Sequence, residues 1–229
     1  MNNKVINIAL VGEVAEGLQE LREKVVFIGG AVISLYTDDP AADEIRPTKD
    51  IDMTINLANY TEWVQMQERL ADLGFYPDFE GHSICSYKYK NIAIDIMPAE
   101  DSAIGISNRW YKPGFQYVQE ITLDNELAIK ILPAPYFLAT KFEAFKDRGE
   151  NYYPGSHDFE DIIYVLDNRT TIVEEIMDAD DEVKNYLKDE LRYLVEHKQS
   201  HEILSMHIHP LVVEDRFPIL MEKISAIIK

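Results

Sequence analysis

Apolar residues return at helical spacing at the start of the chain. Ile8, Val11, Val14, Leu18 and Leu21 fall on one face and predict a helix to about Lys24. The run Val25-Val26-Phe27-Ile28 is short and apolar throughout, which suits a buried strand. Gly29-Gly30 breaks it, residues 31–36 resume a helical pattern, and residues 37–49 read as a polar loop rich in Asp and Pro. A second strand covers 50–57, its first positions alternating polar and apolar. Residues 63–73 predict an amphipathic helix ended by Gly74. The segments 84–90 and 92–97 predict a hairpin that turns near Lys90-Asn91. Strand-like segments follow at 116–123 and 127–132, then helices at 135–148 and 156–166, and a helical remainder from about Thr171. Strands dominate the first 132 residues and helices the rest. The expected class is α+β, with residues 1–132 as a core and 133–229 as a helical C-terminal subdomain.

Composition adds limits rather than an activity. With 46% apolar residues in 229, the chain can bury a sizeable core. No apolar run approaches the roughly 20 residues that span a bilayer, and the first residues lack the pattern of a secretion signal. A single cysteine, Cys85, excludes an internal disulfide, and a cytoplasmic location is expected. The 22 basic and 41 acidic residues give a net charge of −19, which repels polyanions at long range and makes a nucleic-acid acceptor less favoured than a protein or small molecule. The late acidic stretch, residues 174–182, reads as a solvated helix face or cap. There is no internal repeat, low-complexity segment or Ser/Gly-rich linker.

Chemistry enters with Lys49-Asp50-Ile51-Asp52-Met53. Side chains alternate along a strand, so Asp50 and Asp52 project from one face. Carboxylates held a few ångströms apart repel unless a proton or cation lies between them. A hard divalent cation such as magnesium, with manganese as the alternative, suits such oxygens. Asp95 stands inside the apolar run Ile92-Ala93-Ile94-Asp95-Ile96-Met97, where an unpaired charge costs several kcal/mol. If its strand neighbours the Asp50 strand, three acids meet, and three acids can hold two metal ions about 4 Å apart. Gly29-Gly30, between a strand and a helix, allows a close backbone approach to phosphate, and Ser34 follows one turn later.

These residues carry a family resemblance. The segments FIGGAVISLY, RPTKDIDMTI and IAIDIMP resemble the nucleotidyltransferase core shared by polymerase beta, antibiotic adenylyltransferases and minimal nucleotidyltransferases. Within that superfamily the chain most resembles the AbiEii/AbiGii-type toxin family, and PYFLATKFEAFKDR followed by SHDFEDIIYVL resembles that family's later motifs. The matching segments run from about Val25 to Leu166. The gap from Gly30 to Asp50 is longer than the family pattern, through the acidic insert at 37–44. His157 stands where Arg or Lys is usual.

The resemblance implies a mixed sheet flanked by helices, with the site in a cleft against the helical half. It implies transfer of a nucleoside monophosphate from an NTP to an acceptor (RNA, protein or small molecule) with release of pyrophosphate. Asp50, Asp52 and Asp95 are then the metal ligands. Lys141 contacts the NTP phosphates, and Asp158, with Asp161 one turn later, orients that lysine or acts on the acceptor. Gly29, Gly30, Ser34, Arg46 and Thr48 are the further nucleotide-binding candidates, and the resemblance points to an antitoxin partner in a toxin–antitoxin or phage-defence setting. Two rival readings stand beside this one: an antibiotic-type adenylyltransferase acting on a small cation, and a non-catalytic nucleotide-binding module.

Every candidate also has a plain reading. Asp50 and Asp52 are surface-strand acids in that case, Asp95 makes turn hydrogen bonds, and Lys141 pairs on a helix surface. Asp158 belongs to an ordinary helix start after Ser156, and Arg148 favours its helix C-terminus. His201, His207 and His209 lack the spacing of a metal site. Trp110, Tyr111, Tyr152 and Tyr153 are core or rim residues, or else stack a base or line the acceptor cleft.

Overall fold

A computed structural model describes residues 3–79, 81, 85–100, 107–148 and 152–229. The chain divides into two units. One comprises Met1–Ser34 and Glu44–Pro133, and the other Leu35–Asp43 and Ala134–Lys229.

The first unit is built on a mixed sheet. Its strands are β1 (Val25–Ile28), β2 (Asp50–Ile55), β3 (Phe75–Pro77), β4 (Ser86–Tyr89), β5 (Ile92–Pro98), β6 (Gln119–Thr122) and β7 (Ala128–Ile131). Among the described residues they form one sheet in the order β3-β4-β5-β2-β1-β7-β6. β1 pairs antiparallel with β2 and parallel with β7, and β2 pairs parallel with β5. β1 is buried along its whole length, as its unbroken apolar run requires. β5 instead alternates, with Ile92, Ile94 and Ile96 buried and Ala93, Asp95 and Met97 partly open.

The helices of this unit have local causes. In α1 (Asn3–Gly17), Val11, Val14 and Ala15 are buried, and a 3₁₀ segment, Gln19–Lys24, follows, opening on Gln19 at φ +49°. The sequence pattern merged these two elements into one helix. In α2 (Tyr60–Asp72), Asn59 caps the start by accepting from the Glu62 amide, Trp63, Met66 and Leu70 are buried, and Gly74 leaves at φ +87°. The hairpin β4–β5 turns at Lys90, φ +53°. Ile84, where the pattern begins that hairpin, lies outside the described residues. Two elements were not expected, the short edge strand β3 and the helical turn α3 (Tyr111–Gly114) that continues into Phe115–Tyr117.

The second unit is helical: α4 (Ala134–Asp147), α5 (His157–Asn168), α6 (Ile172–Asp178), α7 (Asp181–Glu196), α8 (Ser200–Ser205) and α9 (Val213–Ile228). α4 packs against α5, α6 and α7 and is buried almost continuously from Ala134 to Phe142. The acidic stretch largely serves local ends. Asp180 caps α7 by accepting from the Glu182 amide, Asp181 pairs with Lys184, and Glu175 with Arg169.

Residues 35–43, the end of the helical pattern at 31–36 and the start of the polar loop, belong to this unit. The Tyr36 ring stacks on Phe137 at 4.2 Å, and burial raises its phenol pKa. The Asp38 and Asp39 amides donate to the Asn168 carbonyl, and Thr170 donates to Asp38. Arg216 pairs with Asp39 and Asp167. Burial nonetheless raises the Asp167 pKa, against the pull of Arg216. Lys223 donates to the Leu166, Asp167 and Arg169 carbonyls where α5 ends, satisfying groups a helix C-terminus leaves open.

Candidate functional site

Asp52 and Asp95 are register partners on the adjacent parallel strands β2 and β5, and Asp50 lies opposite Ala93. Partners on neighbouring strands project to the same side, across a strand spacing of about 4.8 Å. The two acids therefore stand side by side. The opposite face of the same strands carries the buried Ile51, Met53, Ile94 and Ile96. Asp50 shares the acids' face, two residues before Asp52.

Each acid has its own surroundings. Asp95 Oδ1 accepts from Ser86 Oγ at 2.6 Å, across the β4–β5 pairing. Thr48 Oγ1 donates to Asp50 Oδ1 at 3.0 Å and lies 3.2 Å from the Asp50 carbonyl. Asp52 packs beneath Gly29, whose φ of +74° is in the left-handed region. A Cβ on Gly29 would lie 2.0 Å from Asp52 Oδ2, and one on Gly30 would lie 2.8 Å from Arg46 Nη2. The space the two glycines leave is thus taken by the Asp52 carboxylate and the Arg46 guanidinium. Gly29→Ala is expected to lower stability by about 1–2 kcal/mol from the left-handed conformation alone, with more from displacing Asp52. Urea unfolding measures this, and a change below about 0.5 kcal/mol, the scale of an ordinary surface substitution, counts against the cradle.

The helix expected after the glycines is a 3₁₀ segment, Gly30–Tyr36. Ser34 lies within it, buried, and its Oγ has no hydrogen-bond partner among the described residues. The same holds for Thr54 Oγ1, on the strand that carries Asp52.

α1 fixes the loop that leads into the acids. Asn7, fully buried, donates from Nδ2 to the Arg46 carbonyl at 3.2 Å and accepts from the Thr48 amide at 3.2 Å. Asn3 Nδ2 donates to the Ile45 carbonyl. A chain of contacts thus runs from Asn7 through Thr48 to Asp50. Asn7→Ala leaves a buried carbonyl and amide without these partners and should destabilise the protein by about 1–3 kcal/mol. Chemical denaturation checks it, and an unchanged midpoint would remove Asn7 from the account. An asparagine in an apolar helical stretch was the sequence signal. Ser86 was also legible, because a turn at Lys90-Asn91 sets it opposite Asp95.

As the side chains stand, no three or more His, Cys, Asp or Glu residues are grouped to hold a metal ion among the described residues. Asp50, turned to Thr48, accounts for part of this. The backbone register brings the three acids to one face, with Asp52 and Asp95 as direct neighbours across β2 and β5.

In the helical unit, Lys141 is buried within α4. Its Nζ lies 3.2 Å from Asp158 Oδ1 and 2.8 Å from Asp161 Oδ2, and Arg148 also pairs with Asp158. Ser156, accepting from the Phe159 amide, is the residue that caps α5. Asp158 is therefore more than a helix-start acid, and Arg148 more than a helix-end cation. Asp161 closes the group from the next turn. His157 is exposed and paired with Glu160.

The weaker candidates have ordinary surroundings. His201 packs on Phe217, His207 Nε2 faces the Tyr153 carbonyl, and His209 Nδ1 accepts from the Leu211 amide. Trp110, Tyr111 and Tyr153 are buried, and Tyr152 is exposed. Among the described residues no helix is long and apolar enough to cross a membrane.

No family model matches the chain, and no curated protein matches it significantly. Among solved structures, it is similar to an antigenic nucleotidyltransferase-like protein from Paracoccidioides brasiliensis. The identity is 19% and the TM-score 0.48, over 93% of this chain and 96% of that chain.

Proposed function

We propose that the chain is a magnesium-dependent nucleotidyltransferase that moves a nucleoside monophosphate from an NTP to an acceptor and releases pyrophosphate. One observation carries this reading: Asp52 and Asp95 stand in register on adjacent parallel strands, beneath a glycine whose missing side chain makes room for one of them. Two adjacent carboxylates supply hard oxygen ligands and favour a cation between them. Asp52 and Asp95 hold magnesium in this reading, and Asp50 joins by turning away from Thr48. Magnesium, when bound, neutralises phosphate charge and activates the attacking oxygen.

The protein's own groups do the positioning. Ser86 orients Asp95, Asn7 fixes the loop, and Arg46, above Gly30, offers a fixed positive charge for a phosphate oxygen. Lys141, held by Asp158 and Asp161 within the helical unit, stays a candidate for the triphosphate through the motif resemblance alone. The net charge of −19 favours a cationic or neutral acceptor over a polyanion. A toxin role with an antitoxin partner belongs to the same proposal, through the motif resemblance.

Calorimetric titration with NTP in the presence and absence of magnesium tests the binding step. Labelled NTP incubated with RNA, protein and small-molecule fractions then identifies the acceptor. Magnesium-dependent, saturable NTP binding is expected. Its absence from the intact chain sinks the reading, and binding without transfer to any fraction leaves the nucleotide-binding module in its place.

A further inference from the structure

A cavity lies wholly within the helical unit. It has a volume of about 380 Å³, and Tyr153, Tyr193, His197, Gln199, Glu202 and Met206 line it together with Pro154 and Ile203. That size falls in the usual range for small-molecule pockets, about 300–1,000 Å³. No residue of the proposed transfer site lines it.

The lining has a definite chemistry. Tyr153 and Tyr193 both stand edge-to-face with His197, at 6.1 and 6.5 Å between ring centres. Tyr153 is fixed from behind by Phe145 and Phe159, at 5.1 and 4.8 Å, so its ring is held in place. Tyr193 is 62% exposed, which leaves part of its ring available at the rim. Gln199 Nε2 donates to Glu202 Oε2 at 3.1 Å and steadies that carboxylate. The Gln199 amide donates to His197 Nδ1 at 3.1 Å, which fixes that ring as well. Met206 adds a polarisable thioether. Among the described residues no lysine or arginine lines the cavity.

Rings gathered around one opening, with a carboxylate and no competing cation, select for positive charge. Aromatic faces attract alkylated ammonium groups through their quadrupoles, and the gain rises where water is excluded. A chain of net charge −19 raises the local concentration of such ligands. We infer that this cavity binds a small organic cation bearing an alkylated ammonium group, seated against Tyr153 and Tyr193 with Glu202 as its counter-charge.

The inference does not rest on the transferase reading, and its test contains no nucleotide. The intact chain is titrated with choline and with choline's neutral carbon isostere, followed by calorimetry and by shifts of the tyrosine and methionine proton resonances. Saturable binding of choline is expected, with the isostere weaker by roughly tenfold. Tyr193→Ala and Glu202→Gln should each weaken choline by roughly fivefold. Both side chains are exposed, and Glu202→Gln keeps the shape, so an unchanged circular dichroism melt is expected of at least that variant. Equal affinity for choline and its isostere, no saturation at millimolar concentration, or wild-type affinity in Glu202→Gln would each overturn the assignment.

Discussion

Replacing Lys141 with Met should lower the stability of the protein by about 3–5 kcal/mol, the range for breaking a buried ion pair on one side. Lys141 is 8% exposed, and its ammonium lies between Asp158, 3% exposed, and Asp161, 1% exposed. Methionine fills much of the same volume, so the loss is electrostatic rather than a cavity. Asp158 retains Arg148, whereas Asp161, the more deeply buried of the two, loses the shorter of the lysine's two contacts. Adding Asp161→Leu to Lys141→Met should therefore recover part of the loss, since two apolar side chains can replace a buried pair. Urea unfolding of the three proteins measures the coupling. A loss below about 1 kcal/mol for Lys141→Met, the value for an exposed pair, would show that water screens the group.

The second large effect falls on chemistry. Asp52→Asn should reduce magnesium-dependent transfer by roughly 10³-fold, since several kcal/mol of charge stabilisation goes with a lost metal ligand. Asp95→Asn should behave alike, and the double variant should lose little more, as residues acting as a unit are not additive. Stability should move the other way. Neutralising one of two adjacent carboxylates relieves their repulsion, so Asp52→Asn should melt at or above the wild-type temperature. Magnesium should raise the wild-type melting temperature and leave that of Asp52→Asn unchanged. Equal magnesium stabilisation of both proteins would refute the assignment of Asp52 as a ligand. Asp50→Asn is expected to have the smaller effect, because Asp50 is held by Thr48 in this structure.

Patterns of local origin were readable. The apolar run 25–28, the capped helix ending at Gly74 and the hairpin around Lys90 each follow from forces within a few residues, and each is present. The common face of Asp50 and Asp52 needed only strand alternation. The pairing of Asp52 with Asp95 was visible as a condition, that their strands be neighbours, and that neighbourhood rests on a crossover that no short segment encodes. The rotamer that turns Asp50 to Thr48 had no sequence signature. The motif points to Lys141 and Asp158, while the spacing shows Asp161 only as a neighbour one turn on and does not mark it as the lysine's second carboxylate partner. Burial of a lysine inside an apolar helix was the stronger clue, since it demands paired charge. Residues 37–43 form the polar, largely exposed loop that their composition suggests; what no short segment encodes is that their polar partners lie far along the chain.

That distance has a consequence for the order of events during synthesis. Asp38 waits for Thr170, 132 residues later, and Asp39 for Arg216, 177 residues later. At about 5–20 residues per second, the interval to Arg216 is on the order of ten to thirty seconds. Over that interval the ribosome has released the strands on both sides of residues 35–43 but not the surface they join. A nascent chain arrested shortly after residue 133 should therefore leave this stretch open to protease, and release of the last helix should close it.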